Sequence, residues 1–120
     1  MNVAVVGASP KPQRYSYRAI VRLQEGGHKV FAVTPKQLDD IEGAEVFASI
    51  TDIPEDIHTA TLYLSAKNSD TIADEIMKAK PQRIIFNPGA ENPALAERAQ
   101  EENIETLEAC TLVMLSTGQF

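Results

Sequence analysis

A loop of small, hydroxyl-bearing and cationic residues near the start of the chain could bind a phosphate group. The tripeptide Gly7-Ala8-Ser9 follows an apolar run, and Lys11, Arg14, Tyr15 and Ser16 come shortly after it. Small residues at the end of a strand let a phosphate approach backbone N–H groups, and neighbouring cations add charge-assisted hydrogen bonds. We therefore predict a phosphate-binding loop over residues 7–16.

Three further polar clusters follow apolar runs in the same way. They are Thr34-Pro35-Lys36, Ser65, and the stretch Asn87-Pro88-Gly89 that continues to Asn92. The flexible ammonium of Lys36 suits a terminal phosphate. The stretch from Asn87 to Asn92 also has a simpler interpretation as a turn and a helix cap, since Pro, Gly and Asn satisfy turn chemistry unaided.

The spacing of the glycines distinguishes among nucleotide ligands. A dinucleotide-binding loop has glycine at its first, third and sixth positions, and an acidic residue about 20 residues further on holds a ribose hydroxyl. Here the three loop positions hold Gly7, Ser9 and Pro12, and Lys36 follows the second apolar run where the acid would stand. A lysine there attracts a phosphate on the ribose. This indicates NADP or coenzyme A, and the missing glycines count against NADP.

Apolar runs alternate with amphipathic patterns along the whole chain. The runs predict five strands, at Val3–Val6, Lys29–Val33, Thr59–Leu64, Arg83–Asn87 and Ile104–Ala109. The amphipathic patterns predict helices at Tyr17–Glu25, 71–77 and Ala94–Asn103. The segment Thr34–Pro54 is irregular, with Val46–Phe47 as a minor extended piece, and Leu112–Leu115 is expected to pack on the core.

This alternation predicts an α/β fold of the Rossmann-like, doubly wound type. Its mainly parallel sheet would have five strands and helices on both faces. We expect one domain over residues 1–120. Ligands of such sheets bind at the carboxyl ends of the strands, which is where all four polar clusters fall.

The composition argues against several classes of partner. Eleven Lys and Arg against seventeen Asp and Glu give a net charge of −6, which disfavours nucleic acid and anionic membranes. Cys110 is the only cysteine, and no metal-ligating cluster has a recognisable spacing. No apolar run approaches the length needed to cross a bilayer. A cytoplasmic location is therefore expected, with Cys110 as a structural residue rather than a nucleophile.

Taken together, the motifs resemble those of a known family. The resemblance rests on Val5–Ser9, Ser16–Arg18, Val33–Lys36, Asn87–Asn92 and Ala109–Val113. In this order and spacing they resemble the small stand-alone CoA-binding proteins. Those proteins are similar to the CoA-binding N-terminal domain of the succinyl-CoA synthetase α subunit.

The resemblance implies a role for each polar cluster. Residues Gly7–Ser9 would hold the pyrophosphate of CoA, and Arg14–Ser16 would close over it. Thr34–Lys36 would receive the adenosine end, with the lysine on the 3′-phosphate. Ser65 and the turn Asn87–Gly89 would border the adenine or the pantetheine arm.

What the resemblance implies is binding of CoA or an acyl-CoA rather than a reaction. A synthetase needs a second domain with a phosphorylated histidine and a partner subunit, for which 120 residues leave no room. We predict a non-catalytic carrier, sensor or accessory protein that docks on an acyl-CoA enzyme or forms a homodimer. The alternative is a small NADP-dependent or other nucleotide-using enzyme, with Tyr15 or Tyr63 as its general acid or base.

Overall fold

The computed structural model describes residues 1–120 and contains seven strands and five α-helices. The strands are β1 (Asn2–Val6), β2 (Lys29–Val33), β3 (Asp40–Ile41), β4 (Ala44–Phe47), β5 (Thr59–Leu62), β6 (Arg83–Phe86) and β7 (Glu105–Glu108). The helices are α1 (Tyr15–Glu25), α2 (Ala66–Asp70), α3 (Ala73–Ala79), α4 (Pro93–Glu101) and α5 (Thr111–Ser116). A single 3-10 turn covers Ile50–Asp52.

All seven strands belong to one sheet with the order β3-β4-β2-β1-β5-β6-β7. Every neighbouring pair is parallel except β3 and β4, which are antiparallel. The predicted Rossmann-like α/β fold is confirmed, with seven strands in place of the five expected.

The two additional strands form a small hairpin at one edge of the sheet. Its turn places Glu42 and Gly43 at φ values of 50° and 86°, and the Asp40 carboxylate accepts a hydrogen bond of 2.8 Å from the Gly43 N–H group. Glutamate rarely adopts a positive φ, so Glu-Gly is a weak turn signal. The expected extended piece Val46–Phe47 forms part of β4, but its pairing with β3 in a hairpin was not predicted.

Strand β1 lies at the centre of the sheet and is buried on both faces. Val3, Ala4, Val5 and Val6 are each at most 1% exposed. Because side chains alternate along a strand, Ala4 and Val6 join one core and Val3 and Val5 join the other. A continuous apolar run is what a strand covered on both faces requires.

Helices cover both faces of the sheet, as predicted. Helix α1 buries Ala19, Ile20 and Leu23 against one face, where Leu112 and Leu115 of α5 also pack. Helices α3 and α4 cover the other face. The apolar terminus therefore packs on the core as expected, although as a helix. None of the helices is both long enough and apolar enough to cross a membrane.

The order of the strands sets where a ligand can enter. From β1 the chain first builds outward through β2 and β4, and then returns to the other side of β1 to form β5. The loops after β1 and β5 consequently diverge from the same point of the sheet. Such a switch in strand order opens a crevice at the carboxyl ends of the strands.

Both histidines lie at the amino ends of strands, just before β2 and β5, and so on the side of the sheet away from the crevice. His28 contacts the ring of Phe120 at 5.1 Å, and the His58 Nδ1 atom lies 2.7 Å from the Thr59 hydroxyl. Neither can pair with Cys110, which lies after the carboxyl end of β7 and before α5. Burial lowers the pKa of both imidazoles, and the positive charges of Arg83 and the amino terminus lower the pKa further.

These two histidines should make the protein less stable in mild acid. Their pKa values in the folded state lie below the unfolded value of about 6.5, so acid favours the unfolded chain, which binds protons more readily. We expect the urea midpoint to fall between about pH 7.5 and about pH 5. The double variant His28→Gln/His58→Gln should show a smaller fall. An equal fall of the urea midpoint in the variant and the wild type would show that these histidines do not cause the loss of stability in acid.

Candidate functional site

A cleft of about 650 Å³ opens at the carboxyl ends of the strands, between the loops that follow β1, β5 and β6. It brings together eight of the residues predicted from the sequence: Gly7, Ser9, Arg14, Tyr15, Ser16, Lys36, Pro88 and Gly89. Lys11, Tyr63, Leu64, Asn68 and Ala90 complete its lining. Separate parts of the sequence thus converge on one site.

The charge of this cleft is opposite to that of the chain. Lys11, Arg14 and Lys36 are its only charged lining residues, in a protein of net charge −6. The three ion pairs of the molecule lie elsewhere, so none of these cations has a carboxylate partner. Three unpaired cations around one crevice favour an anionic ligand with several charges.

Backbone hydrogen bonds decide which N–H groups of the first loop can reach a ligand. Those of Gly7 and Ala8 both donate to the Val33 carbonyl oxygen, at 3.0 and 3.1 Å. The N–H groups of Ser9 and of residues 15–17 in the first turn of α1 have no acceptor within the protein. The donors left for an anion are therefore those of Ser9, Gln13 and the amino end of α1, where the helix dipole also favours negative charge.

Gly7 is required by the backbone at the end of β1. Its φ of 86° is a left-handed conformation that side chains disfavour. A Cβ atom at this position would also lie 2.9 Å from the Leu64 Cδ2 atom and 3.1 Å from the carbonyl carbon of Tyr63. The glycine lets the loop after β5 approach the loop after β1, which closes the base of the cleft.

A smaller pocket of about 300 Å³ adjoins the cleft on the side of β2. Gly7, Leu64 and Asn68 line both cavities. The pocket is otherwise bordered by Val6, Val33, Thr34, Pro35, Ala48, Thr71 and Ile72. The predicted cluster of residues 34–36 therefore divides between two cavities, with the lysine in the charged cleft and its two neighbours in a mainly apolar pocket.

Asn87 is a buried junction between β5, β6 and α5. Its amide nitrogen donates to the Thr61 hydroxyl at 2.7 Å and to the Leu62 carbonyl at 2.9 Å, and its Oδ1 atom accepts from the Thr111 N–H group at 2.9 Å. All of its polar atoms are therefore engaged within the protein. Pro88 and Gly89 form the tight turn that follows, closed by a 2.8 Å bond from the Ala90 N–H group to the Asn87 carbonyl.

Two other predicted residues do not line the cleft. Ala8 is 5% exposed and packs into the core beneath the loop. Ser65 lines none of the cavities at this edge and caps α2, where its hydroxyl accepts a hydrogen bond from the Asn68 N–H group at 3.4 Å. Serine is a favoured helix N-cap, so this hydroxyl serves the helix start.

A third cavity, of about 230 Å³, adjoins the cleft on the side of β6. Its lining residues are Tyr15, Tyr63, Asn87, Pro88, Cys110 and Leu112. The Tyr63 hydroxyl is buried and has no hydrogen-bond partner. Burial raises the pKa of Tyr63 to about 12, against the opposing effect of the nearby Thr111 and Thr61 hydroxyls, so the phenol keeps its proton at neutral pH.

There are identifiable reasons why the sequence did not predict the remaining lining residues. Tyr63 and Leu64 were assigned to the third strand, but β5 ends at Leu62 and leaves both at the mouth of the crevice. Their position at the end of a strand could have identified them as candidate lining residues of the cleft. Lys11 was visible as a second cation of the loop, whereas nothing local in the sequence distinguishes Asn68.

A Rossmann-like sheet with a cationic cleft at its switch point is characteristic of nucleotide-binding proteins. Within this class the chain belongs to the CoA binding domain family, which matches residues 1–116.

Solved structures agree with this assignment of the fold. An uncharacterized protein of known crystal structure is 37% identical, with a TM-score of 0.85 over 99% of this chain and 97% of that chain. A hypothetical protein from Pyrococcus horikoshii OT3 is 27% identical, with a TM-score of 0.88 over 96% of this chain and 81% of that one. The fold also recurs in the dinucleotide-forming acetyl-coenzyme A synthetase 1 of Ca. Korarchaeum cryptofilum, at 23% identity and a TM-score of 0.75. That match covers 90% of this chain and 25% of the synthetase chain.

Replacing the buried amide of Asn87 should destabilise the edge that carries the cleft. Asn87→Ala leaves Thr61, Leu62 and Thr111 without their shared partner, and we expect a loss of about 3 kcal/mol in the free energy of unfolding, measured with urea. Asn68→Ala is the matched control, because the Asn68 side chain makes no hydrogen bond. Equal unfolding midpoints for the two variants would show that the hydrogen bonds of Asn87 contribute little to the free energy of unfolding.

Proposed function

We infer that this protein binds coenzyme A, or an acyl-CoA, across the three adjoining cavities. The observation that carries the proposal is the set of three unpaired cations, Lys11, Arg14 and Lys36, in a cleft with a mainly apolar pocket on either side. Coenzyme A has the matching order of parts, namely an adenine, a phosphorylated ribose with a pyrophosphate, and a long uncharged arm.

The proposed pose follows the order of the strand ends. The adenine would occupy the pocket beside Thr34 and Pro35 on the β2 side. The pyrophosphate would lie in the cleft, near Arg14 and the free N–H groups at the start of α1. The pantetheine arm would then run toward β6, past Pro88 and Gly89.

Lys36 is suited to the 3′-phosphate. It lines the cleft next to the adenine pocket, and its N–H group bonds to the Thr34 hydroxyl at 3.4 Å, which holds the lysine in a short turn at the end of β2. A mobile ammonium on a fixed backbone matches a terminal phosphate that projects from a ribose. The rings of Tyr15 and Tyr63 border the same space and would flank the ligand.

We propose a role in carrying, sensing or presenting CoA rather than in transforming it. Tyr63, one of the two tyrosines that line the cleft, keeps its proton at neutral pH and is a poor general base. Docking on an acyl-CoA enzyme, association as a homodimer and a cytoplasmic location all stay predictions of this proposal.

Affinities for CoA and dephospho-CoA test the role of Lys36 directly. Lys36→Ala should lower the affinity for CoA about tenfold and change the affinity for dephospho-CoA by no more than about twofold, because only CoA has the 3′-phosphate. Isothermal titration calorimetry measures both. Lys78→Ala, on the outer surface of α3, is the matched control and should change neither affinity.

The same titrations with NAD and NADP test the alternative ligand. CoA should bind more tightly than NADP. Tighter binding of NADP, or an equal effect of Lys36→Ala on CoA and dephospho-CoA, would overturn the assignment.

Arg14 should act on the part of the ligand that CoA and dephospho-CoA share. Arg14→Ala removes one cation from the cleft and should lower both affinities by the same factor, about tenfold. Arg22→Ala is the control, because Arg22 lies on the same helix outside the cleft and pairs with Glu25 at 3.7 Å. A loss confined to CoA would place Arg14 on the 3′-phosphate and contradict the pose.

A further inference from the structure

A row of arginines on α1 extends beyond the cleft. Arg14 stands at the N-cap of the helix and lines the cleft, whereas Arg18 and Arg22 follow at intervals of four residues and line a separate groove. Residues four apart on a helix are neighbours on its surface, so the three side chains form a cationic stripe along α1. Arg18 and Arg22 do not line the cleft, so a ligand bound there does not account for them.

This placement of charge is unfavourable for the helix itself. Like charges four residues apart on a helix repel each other, and Arg14 and Arg18 lie near the amino end, where the helix dipole disfavours cations. The first turn of α1 contains no acidic residue that would offset either effect. The one ion pair of the stripe joins Arg22 to Glu25 at 3.7 Å between exposed side chains, which contributes little. An arrangement that destabilises the free protein is expected where a partner offsets the cost.

The groove beside the stripe offers apolar surface. It has a volume of about 420 Å³ and lies between α1 and α5, which contribute the half-buried Val21 and Leu112 to its lining. The two most exposed large apolar side chains of the molecule, Tyr15 and Val113, belong to the same two helices, at 65% and 57% exposure. The Arg18 guanidinium lies 5.4 Å from the centre of the Tyr15 ring. Tyrosine and arginine beside apolar surface are typical of protein interfaces.

The extent of the stripe indicates the kind of partner. It follows one helix of 11 residues, about 16 Å long, and the carboxylate of Glu25 closes its far end. Nucleic acid or a membrane surface would extend past it over a chain of net charge −6. A second copy bound by the same face would place arginine against arginine. A groove between two helices instead suits the apolar side of a third helix.

We propose that the groove between α1 and α5 docks an acidic amphipathic helix of a partner protein. Carboxylates spaced four residues apart on that helix would pair with Arg18 and Arg22, and its apolar side chains would pack on Val21 and Leu112. This inference goes beyond the proposed function and does not depend on it. Because α1 begins at the cleft with Arg14, a partner docked here would lie beside the ligand-binding site.

A synthetic helical peptide with glutamates four residues apart and leucines on the same side serves as the probe. We expect it to bind the whole protein, measured by fluorescence anisotropy, and to bind Arg18→Glu/Arg22→Glu at least about tenfold more weakly. This variant should fold normally, because it removes like charges from α1. Lys67→Glu/Lys78→Glu, on α2 and α3, changes the net charge equally and should leave the affinity within about twofold.

A second variant tests the apolar part of the groove without a change in charge. Val21→Ala should weaken binding of the peptide about threefold, because it removes apolar surface from the groove and keeps a good helix former in α1. A peptide with serines in place of the leucines should bind at least about tenfold more weakly than the original.

Four results would overturn the inference. They are absence of binding by the leucine peptide, equal binding of the leucine and serine peptides, an equal loss of affinity in the lysine and arginine variants, and stronger binding of phosphatidylserine vesicles than of the peptide. The last result would assign the stripe to a membrane surface. Since no CoA enters these measurements, their failure leaves the proposed function intact, and a failure of CoA binding leaves the docking groove intact.

Discussion

The architecture of the site depends on how β1 ends. This strand is buried on both faces, so its path is set by two cores at once, and it can turn only where a residue without a side chain permits a left-handed backbone. Gly7 is that residue, and the space beside its Cα atom is filled by Leu64. The loops after β1 and β5 approach each other there, and Gly7 and Leu64 line both the cleft and the pocket on the β2 side.

Electrostatics then distinguishes the cleft from the rest of the molecular surface. The chain is acidic as a whole, yet the three cations of the cleft have no carboxylate nearby to neutralise them. Holding like charges around one crevice costs free energy, which an anionic ligand recovers on binding. The mainly apolar pockets on either side confine that charge to the middle of the site. A nucleotide with uncharged groups at both ends fits this distribution better than a simple phosphate.

Much of the fold could be predicted because its signals are local. Apolar runs bounded by turn residues identified β1, β2, β5, β6 and β7, and amphipathic spacing located α1 and α4. Of the hairpin β3–β4 only Val46–Phe47 was predicted as an extended piece, because a two-residue strand has no period and Glu42 adopts a conformation that its residue type disfavours. The predicted helix 71–77 located α3, whereas the five-residue α2 before it is too short to show an amphipathic period.

Sequence by itself determined the fold class and identified most residues of the cleft. Gly7, Ser9, Lys36 and the turn at Gly89 follow strand ends, and parallel strands bring such ends to a single edge. Only the tertiary structure decided how each group is used. It engages Asn87 within the protein, commits the N–H groups of Gly7 and Ala8 to Val33, and leaves the Tyr63 hydroxyl buried without a hydrogen bond. The reason is physical: a residue's type states which hydrogen bonds it can make, but its neighbours in space determine which of them remain for a ligand.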